Sequence, residues 1–457
     1  MKNTTRRAYV IYALVIAFLI GLGFLLYSFA ANGSTWAASR LNTHIFTNRV
    51  LTRAGAVKDR NGTVLVETKD GKRVWNESSG VRRATLHAVG DAQGYIATGV
   101  QTLYRAKLIG YDFFTGLYKS ANKQTDITLT LDAEVCKTAL EAMNGKKGTV
   151  AAYNYKTGEL LCMVSAPTYD PLQKPSDINT DTTGKYDGIY LNRAISGVFT
   201  PGSTFKVVTA ICALENIPDV QKRKFTCTGK ISLGKGEVIC NGVHGTVTFE
   251  RGLNVSCNCV FAQLAAELGR DKLTETVRSL GFGKSVSVSG AKTVRSTFDV
   301  SKAGKLDLGW AGIGQYTTLV NPMQMLMLAG AIANEGEAMT PRLVQNDGTL
   351  GELIDLAGGV NKNIKLSPET AKTVAALLRS NVKNYYGDSR FPNLQFCGKT
   401  GSAEVEGKKS HAWFYGFSQR EDFPVAIVVC LENGGIGLND AIPVANRVLQ
   451  KLLQLGI

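Results

Sequence analysis

The sequence has no zinc-finger spacing, no RNP-type aromatic motif and no dense block of Lys or Arg. Without those features, nucleic acid is not an expected partner. Internal repeats and low-complexity tracts are also missing, which argues for ordinary folded domains. Acidic residues are in short supply, with 37 Asp+Glu against 52 Lys+Arg and a net charge of +15. That balance attracts the chain to anionic surfaces such as lipid head groups or wall polymers, without choosing among them. Long apolar runs are scarcer still, and only one segment reaches membrane-spanning length.

That segment runs from Ala8 to Ala30, uncharged and rich in Leu, Ile, Val, Phe and Tyr, with Lys2, Arg6 and Arg7 before it. About 20 helical residues cross a hydrocarbon core of about 30 Å, and basic residues ahead of the span favour a cytoplasmic N-terminus. The alternative is a signal peptide cleaved after Ser28-Phe29-Ala30, but signal cores run only about 7 to 15 residues. The expected arrangement is a cytoplasmic tail over 1–7 and a single-pass anchor in the cytoplasmic membrane over 8–30. Everything beyond would be extracytoplasmic. A chain of 457 residues, 44% of them hydrophobic, is long enough for two folded parts besides.

The stretch 31–125 is polar and broken by Gly, with a strand-like run Thr63-Val64-Leu65-Val66 after the turn signal Asp59-Arg60-Asn61-Gly62. It reads as a small pedestal module. A larger domain over 126–457 opens with an alternating strand, Ile127 to Leu131, and Asp132 as N-cap of a helix over Ala133–Met143. Gly148 to Tyr153 and Glu159 to Val164 flank a turn at Lys156-Thr157-Gly158, a hairpin pattern. Helical patterns follow at 203–215, 256–268 and 322–334, then a strand pair bracketing Lys399 and running through Val425–Cys430, and a last helix over Ala441–Leu455. Strands at both ends with helices between them predict an α+β domain with one mainly antiparallel sheet.

Three short motifs occur in order: Ser203-Thr204-Phe205-Lys206, Ser256-Cys257-Asn258 and Lys399-Thr400-Gly401. Each alone is common in long proteins; their order and local context carry the weight. Thr200-Pro201-Gly202 makes a turn, and Phe205, Val207, Val208, Ala210, Ile211, Ala213 and Leu214 are apolar nearly all round, so Ser203 should head a buried helix. Residues three apart share a helix face, which sets the Lys206 amine beside the Ser203 hydroxyl. A hydroxyl is a poor nucleophile until a base takes its proton, and a desolvated lysine is neutral enough to do so. The bland alternative makes Ser203 an N-cap and Lys206 a snorkelling surface residue, and the buried look of the flanking positions speaks against it.

The S-x-x-K, S-x-N and K-T-G set resembles that of penicillin-binding proteins and serine β-lactamases. The approach Asn192 to Gly197 running into Thr200-Pro201-Gly202-Ser203 is similar to that of class B penicillin-binding proteins. So are Gly314-Gln315 followed by Asn321 to Met325, and His411 to Phe417 after the K-T-G strand. Asp59 to Gly62 and Gly99-Val100-Gln101 resemble that family's dimerisation or pedestal module. The resemblance implies the penicillin-binding/serine β-lactamase fold and a monofunctional D,D-transpeptidase. It implies that Ser203 attacks a D-alanyl-D-alanine carbonyl with Lys206 as base, and that Ser256 and Asn258 relay the proton and hold the donor peptide. Lys399 would supply a positive field, Thr400 would contact the terminal carboxylate beside Gly401, and the amides of Ser203 and Ser402 would form the oxyanion hole. Stem peptides of peptidoglycan, β-lactams and a membrane glycosyltransferase of the SEDS type are the implied partners; no cofactor is implied for the chemistry.

Of the nine cysteines, Cys136, Cys162, Cys212, Cys397 and Cys430 sit singly in apolar runs and read as small core residues. Cys227, Cys240 and Cys257, with His244, cluster in a Gly-rich stretch, and a Cys₃His set is a standard structural zinc shell. The resemblance gives partial support, since some elongation-type members carry zinc here. Cys259 in place of Cys257, a Cys227–Cys240 disulfide, and free thiols stay open.

Three functional readings follow. The first is a class B transpeptidase; the segment before the larger domain is too short for a glycosyltransferase domain and has no E-D-x-x-F motif. The second is a β-lactamase or D,D-carboxypeptidase with water as acceptor. The third is a non-enzymatic β-lactam receptor or division scaffold. An anchor and pedestal favour the first.

Overall fold

A computed structural model describes residues 2–37, 39, 46–47, 50–51, 53–111, 125–345 and 359–457. Parts of the expected pedestal, 112–124 among them, lie outside these described residues. The first helix, α1, spans Lys2–Ala37, and within it Arg7–Gly33 is long and apolar enough to cross a membrane, with mean hydropathy 2.6. Its apolar side chains are exposed, the condition expected of a helix whose solvent is lipid.

A small sheet follows, built from β1 (Val57–Lys58), β2 (Val64–Lys69), β3 (Lys72–Trp75) and, after α2 (Ser79–Val89), β4 (Ile127–Thr128). Its order is β3-β2-β1-β4, with β4 added in parallel to β1. The chain therefore enters the larger domain through a strand of the smaller one. The β1–β2 turn shows why the sequence Asp59-Arg60-Asn61-Gly62 is needed there. Asp59 Oδ1 accepts from the amides of Asn61 (2.9 Å) and Thr63 (2.8 Å), and Gly62 takes φ +85°, which costs a glycine nothing. The other oxygen, Asp59 Oδ2, accepts from Ala133 N at the head of α3 (Ala133–Ala142). Asp132 caps that helix as expected, accepting from Val135 N at 2.9 Å.

The central sheet has five strands in the order β11-β12-β13-β5-β6, antiparallel throughout. Here β5 is Gly148–Asn154 and β6 Leu160–Ala166, the expected hairpin, while β11 is Phe396–Val405, β12 Lys408–Ser418 and β13 Val425–Leu431. Strands from the two ends of the domain thus lie side by side, β13 pairing with β5 from Val425↔Asn154 to Leu431↔Gly148. Both faces of β5, β6 and β13 are buried almost throughout, which matches their mainly apolar composition. The helices α4 (Lys206–Asn216), α5 (Asn258–Ser279), α6 (Pro322–Ala333), α7 (Pro368–Asn381) and α8 (Ile442–Gln454) complete the core. Between α4 and α5 sits a ribbon of β7 (Lys224–Cys227), β8 (Lys230–Leu233), β9 (Gly236–Ile239) and β10 (Gly245–Thr248), in which β7 pairs with β10 and β8 with β9.

The two parts are joined by buried polar contacts. Arg82 of α2 donates to both oxygens of Asp170, with Nε–Oδ1 at 2.7 Å, and holds that carboxyl down at about 2. His87 Nε2 lies 2.8 Å from the Ile189 carbonyl oxygen, fixing the segment that leads into Asn192 and Arg193.

Candidate active site

Ser203 does not open an α-helix. Gly202–Phe205 is a 3₁₀ turn, and α4 begins at Lys206. The cause is Gly202, whose φ of +54° breaks the helical path and lets its Cα pass close to β11. A Cβ at Gly202 would lie 2.9 Å from Ala403 Cα, and one at Gly401 2.7 Å from the Pro201 carbonyl oxygen. The glycine of the third motif is thus required by the backbone contact of the Gly202–Phe205 turn with β11. The 3₁₀ turn still stacks positions three apart, and Lys206 Nζ lies 3.0 Å from Ser203 Oγ.

Lys206 is fully buried yet well supplied with partners: the Ser256 carbonyl oxygen at 2.6 Å, Asn258 Oδ1 at 2.7 Å and Ser256 Oγ at 3.2 Å. Ser256 reaches it with both backbone and side chain because it sits at φ +54°, a strained conformation for a residue with a Cβ. Asn258, at the first position of α5, is oriented from behind, its Nδ2 donating to the Ile239 carbonyl oxygen at 2.8 Å. Lys399, also fully buried, donates to Ser256 Oγ and to the Thr400 carbonyl oxygen, both at 3.0 Å. A continuous chain results: Ser203 Oγ, Lys206 Nζ, Ser256 Oγ, Lys399 Nζ. Residues 196 positions apart in sequence meet through two intervening side chains.

The electrostatics follow from burial. Desolvation and the charge of Lys399 push Lys206 well below the usual lysine range, and desolvation brings Lys399 to about 7. Two ammonium groups in one buried site repel, so the arrangement favours a single proton between them. If it rests on Lys399, the two protons of neutral Lys206 go to its closest acceptors, the Ser256 carbonyl oxygen and Asn258 Oδ1. Its lone pair then faces the Ser203 hydroxyl, the geometry general-base activation requires. Ser203 and Thr400 are partly exposed and Ser402 is exposed, so the alcohols line the open side and the amines the closed one. Ser402 Oγ accepts from Gly437 N at 3.2 Å.

One contributor carried no signal in the sequence. The Tyr386 hydroxyl lies 3.5 Å from Lys399 Nζ, 3.2 Å from Thr400 N and 3.1 Å from Thr400 Oγ1. Nothing in the run Asn384-Tyr385-Tyr386 marks it, because the contact is made across a turn whose shape depends on the neighbouring strand.

Next to this cleft, Cys227, Cys240, His244 and Cys257 bring their ligand atoms within 4.8 Å of one another. His244 Nδ1 is 3.5 Å from the sulfurs of both Cys227 and Cys240, and the Cys240 and Cys257 sulfurs are 3.8 Å apart. A tetrahedral zinc with Zn–S of about 2.3 Å and Zn–N of about 2.0–2.1 Å has S···S edges near 3.8 Å and S···N edges of about 3.5 Å. The residues fit that group. Cys240 Sγ also accepts from Asn258 N at 3.2 Å, so a thiolate would sit on the N-terminus of α5. Cys259 is not part of this converging set. The five cysteines expected in the core are all fully buried.

Comparison with known proteins gives a consistent picture. The family model described as "Penicillin binding protein transpeptidase domain" matches residues 148–454. The chain is 29% identical over 404 residues to peptidoglycan D,D-transpeptidase PbpA of Mycolicibacterium smegmatis, covering 79% of this chain and 81% of that one. It is 27% identical over 358 residues to stage V sporulation protein D of Bacillus subtilis, covering 73% of this chain and 54% of the relative. Among solved structures, the imipenem acyl-enzyme complex of penicillin-binding protein A from M. tuberculosis aligns with TM-score 0.74 at 25% identity, over 88% of this chain and 99% of that one. The D,D-transpeptidase domain of a peptidoglycan glycosyltransferase from Eggerthella lenta aligns with TM-score 0.72 at 27% identity, over 88% and 98%.

Proposed function

Because the chain belongs to the penicillin-binding protein transpeptidase family, we propose that it cross-links peptidoglycan stem peptides by serine acyl transfer and is blocked by β-lactams that acylate Ser203. The observation that carries this reading is the unbroken chain of contacts from Ser203 Oγ through Lys206 and Ser256 to Lys399. In this mechanism neutral Lys206 takes the Ser203 proton as Oγ attacks the D-alanyl-D-alanine carbonyl, and the amides of Ser203 and Ser402 receive the oxyanion. One such donor is worth roughly 3 to 4 kcal/mol in a comparable acyl-transfer site. The proton passes by way of Lys206 and Ser256 to the departing D-alanine nitrogen, leaving an ester on Ser203. A second stem peptide's amine then attacks the ester, and the proton returns to Ser203 along the same route. The Thr400 hydroxyl holds the donor's terminal carboxylate, and protonated Lys399 behind it supplies a positive field.

The apolar helix α1 supports a single-pass anchor over 8–30 with the N-terminus inside and the catalytic domain outside the cytoplasmic membrane. The segment 31–125 then serves as pedestal and as the contact for a glycan-polymerising SEDS-type partner. Peptidoglycan D,D-transpeptidase PbpA, a relative by sequence, supports the transfer reading over hydrolysis.

Given a thioester or peptide donor ending in D-alanine and a labelled D-amino acid as acceptor, the protein is expected to form acceptor-bearing product. The yield should rise with acceptor concentration at the expense of hydrolysis, measured by mass spectrometry. Release of free acid at a rate indifferent to the acceptor would instead assign it to the carboxypeptidases.

For the cysteine cluster we propose a structural zinc held by Cys227, Cys240, His244 and Cys257, which would tie the ribbon to the head of α5. The reaction itself runs on the serine and lysines. Protein purified without chelator is expected to hold about one zinc per chain by elemental analysis. Cys240→Ser should lose it and lower Tm by about 5 °C, since metal binding is folding free energy. Zinc-free protein with three titratable thiols at these positions would end the proposal.

A further inference from the structure

The end of α7 is bound along β11. Arg379 Nη1 donates to the Phe396 carbonyl oxygen at 3.2 Å and Asn381 Nδ2 to that of Gly398 at 3.1 Å. Beyond Asn381 the helix widens into a π turn, Val382–Tyr386, which ends at Gly387 with φ +94°. Single π turns recur at functional sites, since they turn a side chain where regular helix would not. Here the turn delivers Tyr386, 5% exposed, onto the Lys399-Thr400 end of β11.

The hydrogen-bond inventory of the Tyr386 oxygen has a directional consequence. A phenol has one proton to give and otherwise accepts. Thr400 N–H and Lys399 Nζ–H can only donate, and they approach it at 3.2 and 3.5 Å. With those donors on its acceptor side, the tyrosine proton goes to its remaining neighbour, Thr400 Oγ1, 3.1 Å away. Thr400 then accepts from the buried side, and its own proton is left for the open cleft, where the residue is partly exposed.

We infer that Tyr386 is a positioning residue that fixes the Thr400 hydroxyl as a hydrogen-bond donor to the terminal carboxylate of the donor peptide, and to the equivalent carboxylate of a β-lactam. The inference rests on the reading of Ser203 as the acylated residue. It assigns to Tyr386 a share in discriminating carboxylate-bearing ligands from neutral ones.

The test compares second-order acylation rates of the full-length protein in detergent with penicillin G and with its methyl ester, which has no carboxylate charge. Tyr386→Phe keeps the ring and removes the hydroxyl. It should slow acylation by the acid about tenfold, the worth of one hydrogen bond to a charged group, and change the ester rate by less than about twofold. Tyr385→Phe, altered at the exposed neighbouring ring, should match wild type. In a Thr400→Val background, Tyr386→Phe should cost nothing further, because the residue acts through Thr400. Equal losses for acid and ester would reduce Tyr386 to a packing role, and an unchanged acid-to-ester ratio or full additivity with Thr400→Val would likewise overturn the inference. A wild-type protein that no penicillin acylates would overturn the reading of Ser203, and this inference with it; that result is distinct from a wild type that acylates while the variants keep its ratio.

Discussion

Ser203→Ala is expected to abolish covalent labelling by fluorescent penicillin, with an acylation rate lower by on the order of 10⁶, the scale on which loss of an activated serine is felt in comparable enzymes. The labelled peptide of the wild type should contain Ser203 when mapped by mass spectrometry. The variant should fold normally: Ser203 is partly exposed and its hydroxyl is hydrogen-bonded to Lys206, which keeps Ser256 and Asn258 as partners. Its stability should therefore stay within about 0.5 kcal/mol of wild type, checked by thermal melting. Retained labelling, or an adduct mapped to another side chain, would remove the basis of the serine mechanism. A depleted strain whose wall synthesis is fully restored by the variant would point to a scaffold.

The second large effect is expected at Lys206. Lys206→Gln removes the base and keeps a polar group of similar reach, so the acylation rate should fall by about 10³-fold, within the range for a lost general base. The pH profile identifies the cause. In wild type, burial and the charge of Lys399 hold the Lys206 amine well below the usual lysine range, so the rate should fall on acidification as Lys206 gains a proton. It should fall again above about 7 as Lys399 loses its own. The glutamine variant should lose the acid limb and keep the alkaline one. Stopped-flow acylation across that range reads both limbs. An acid limb that survives the substitution would assign it to another group and take Lys206 out of the base role.

Much of the local structure was written in local chemistry. Asp132 caps α3 because a carboxylate before an apolar-periodic run has only the first-turn amides to satisfy, and the β5–β6 hairpin forms around the turn residues that announced it. The three motifs were legible for the same reason, each being a few residues with fixed spacing. Where neighbours outside the segment decided the backbone, the reading failed. Ser203 was expected at the head of an α-helix and lies in a 3₁₀ turn, because Gly202 must clear Ala403 on a strand 200 residues further along. The cysteines left several pairings open, and only the ribbon's folding onto α5 turned three sulfurs toward one imidazole.

The sequence by itself determined the family of this protein, its apolar N-terminal segment and the chemical types of its site residues, since these reside in spacing and composition. Tertiary structure alone decided how those residues act. It buried two lysines together so that one can be neutral, strained Ser256 to φ +54° so that it reaches both, and carried Tyr386 on a π turn to the third motif. Those outcomes depend on contacts between segments far apart along the chain, and burial, charge repulsion and hydrogen-bond direction exist only once the segments have met.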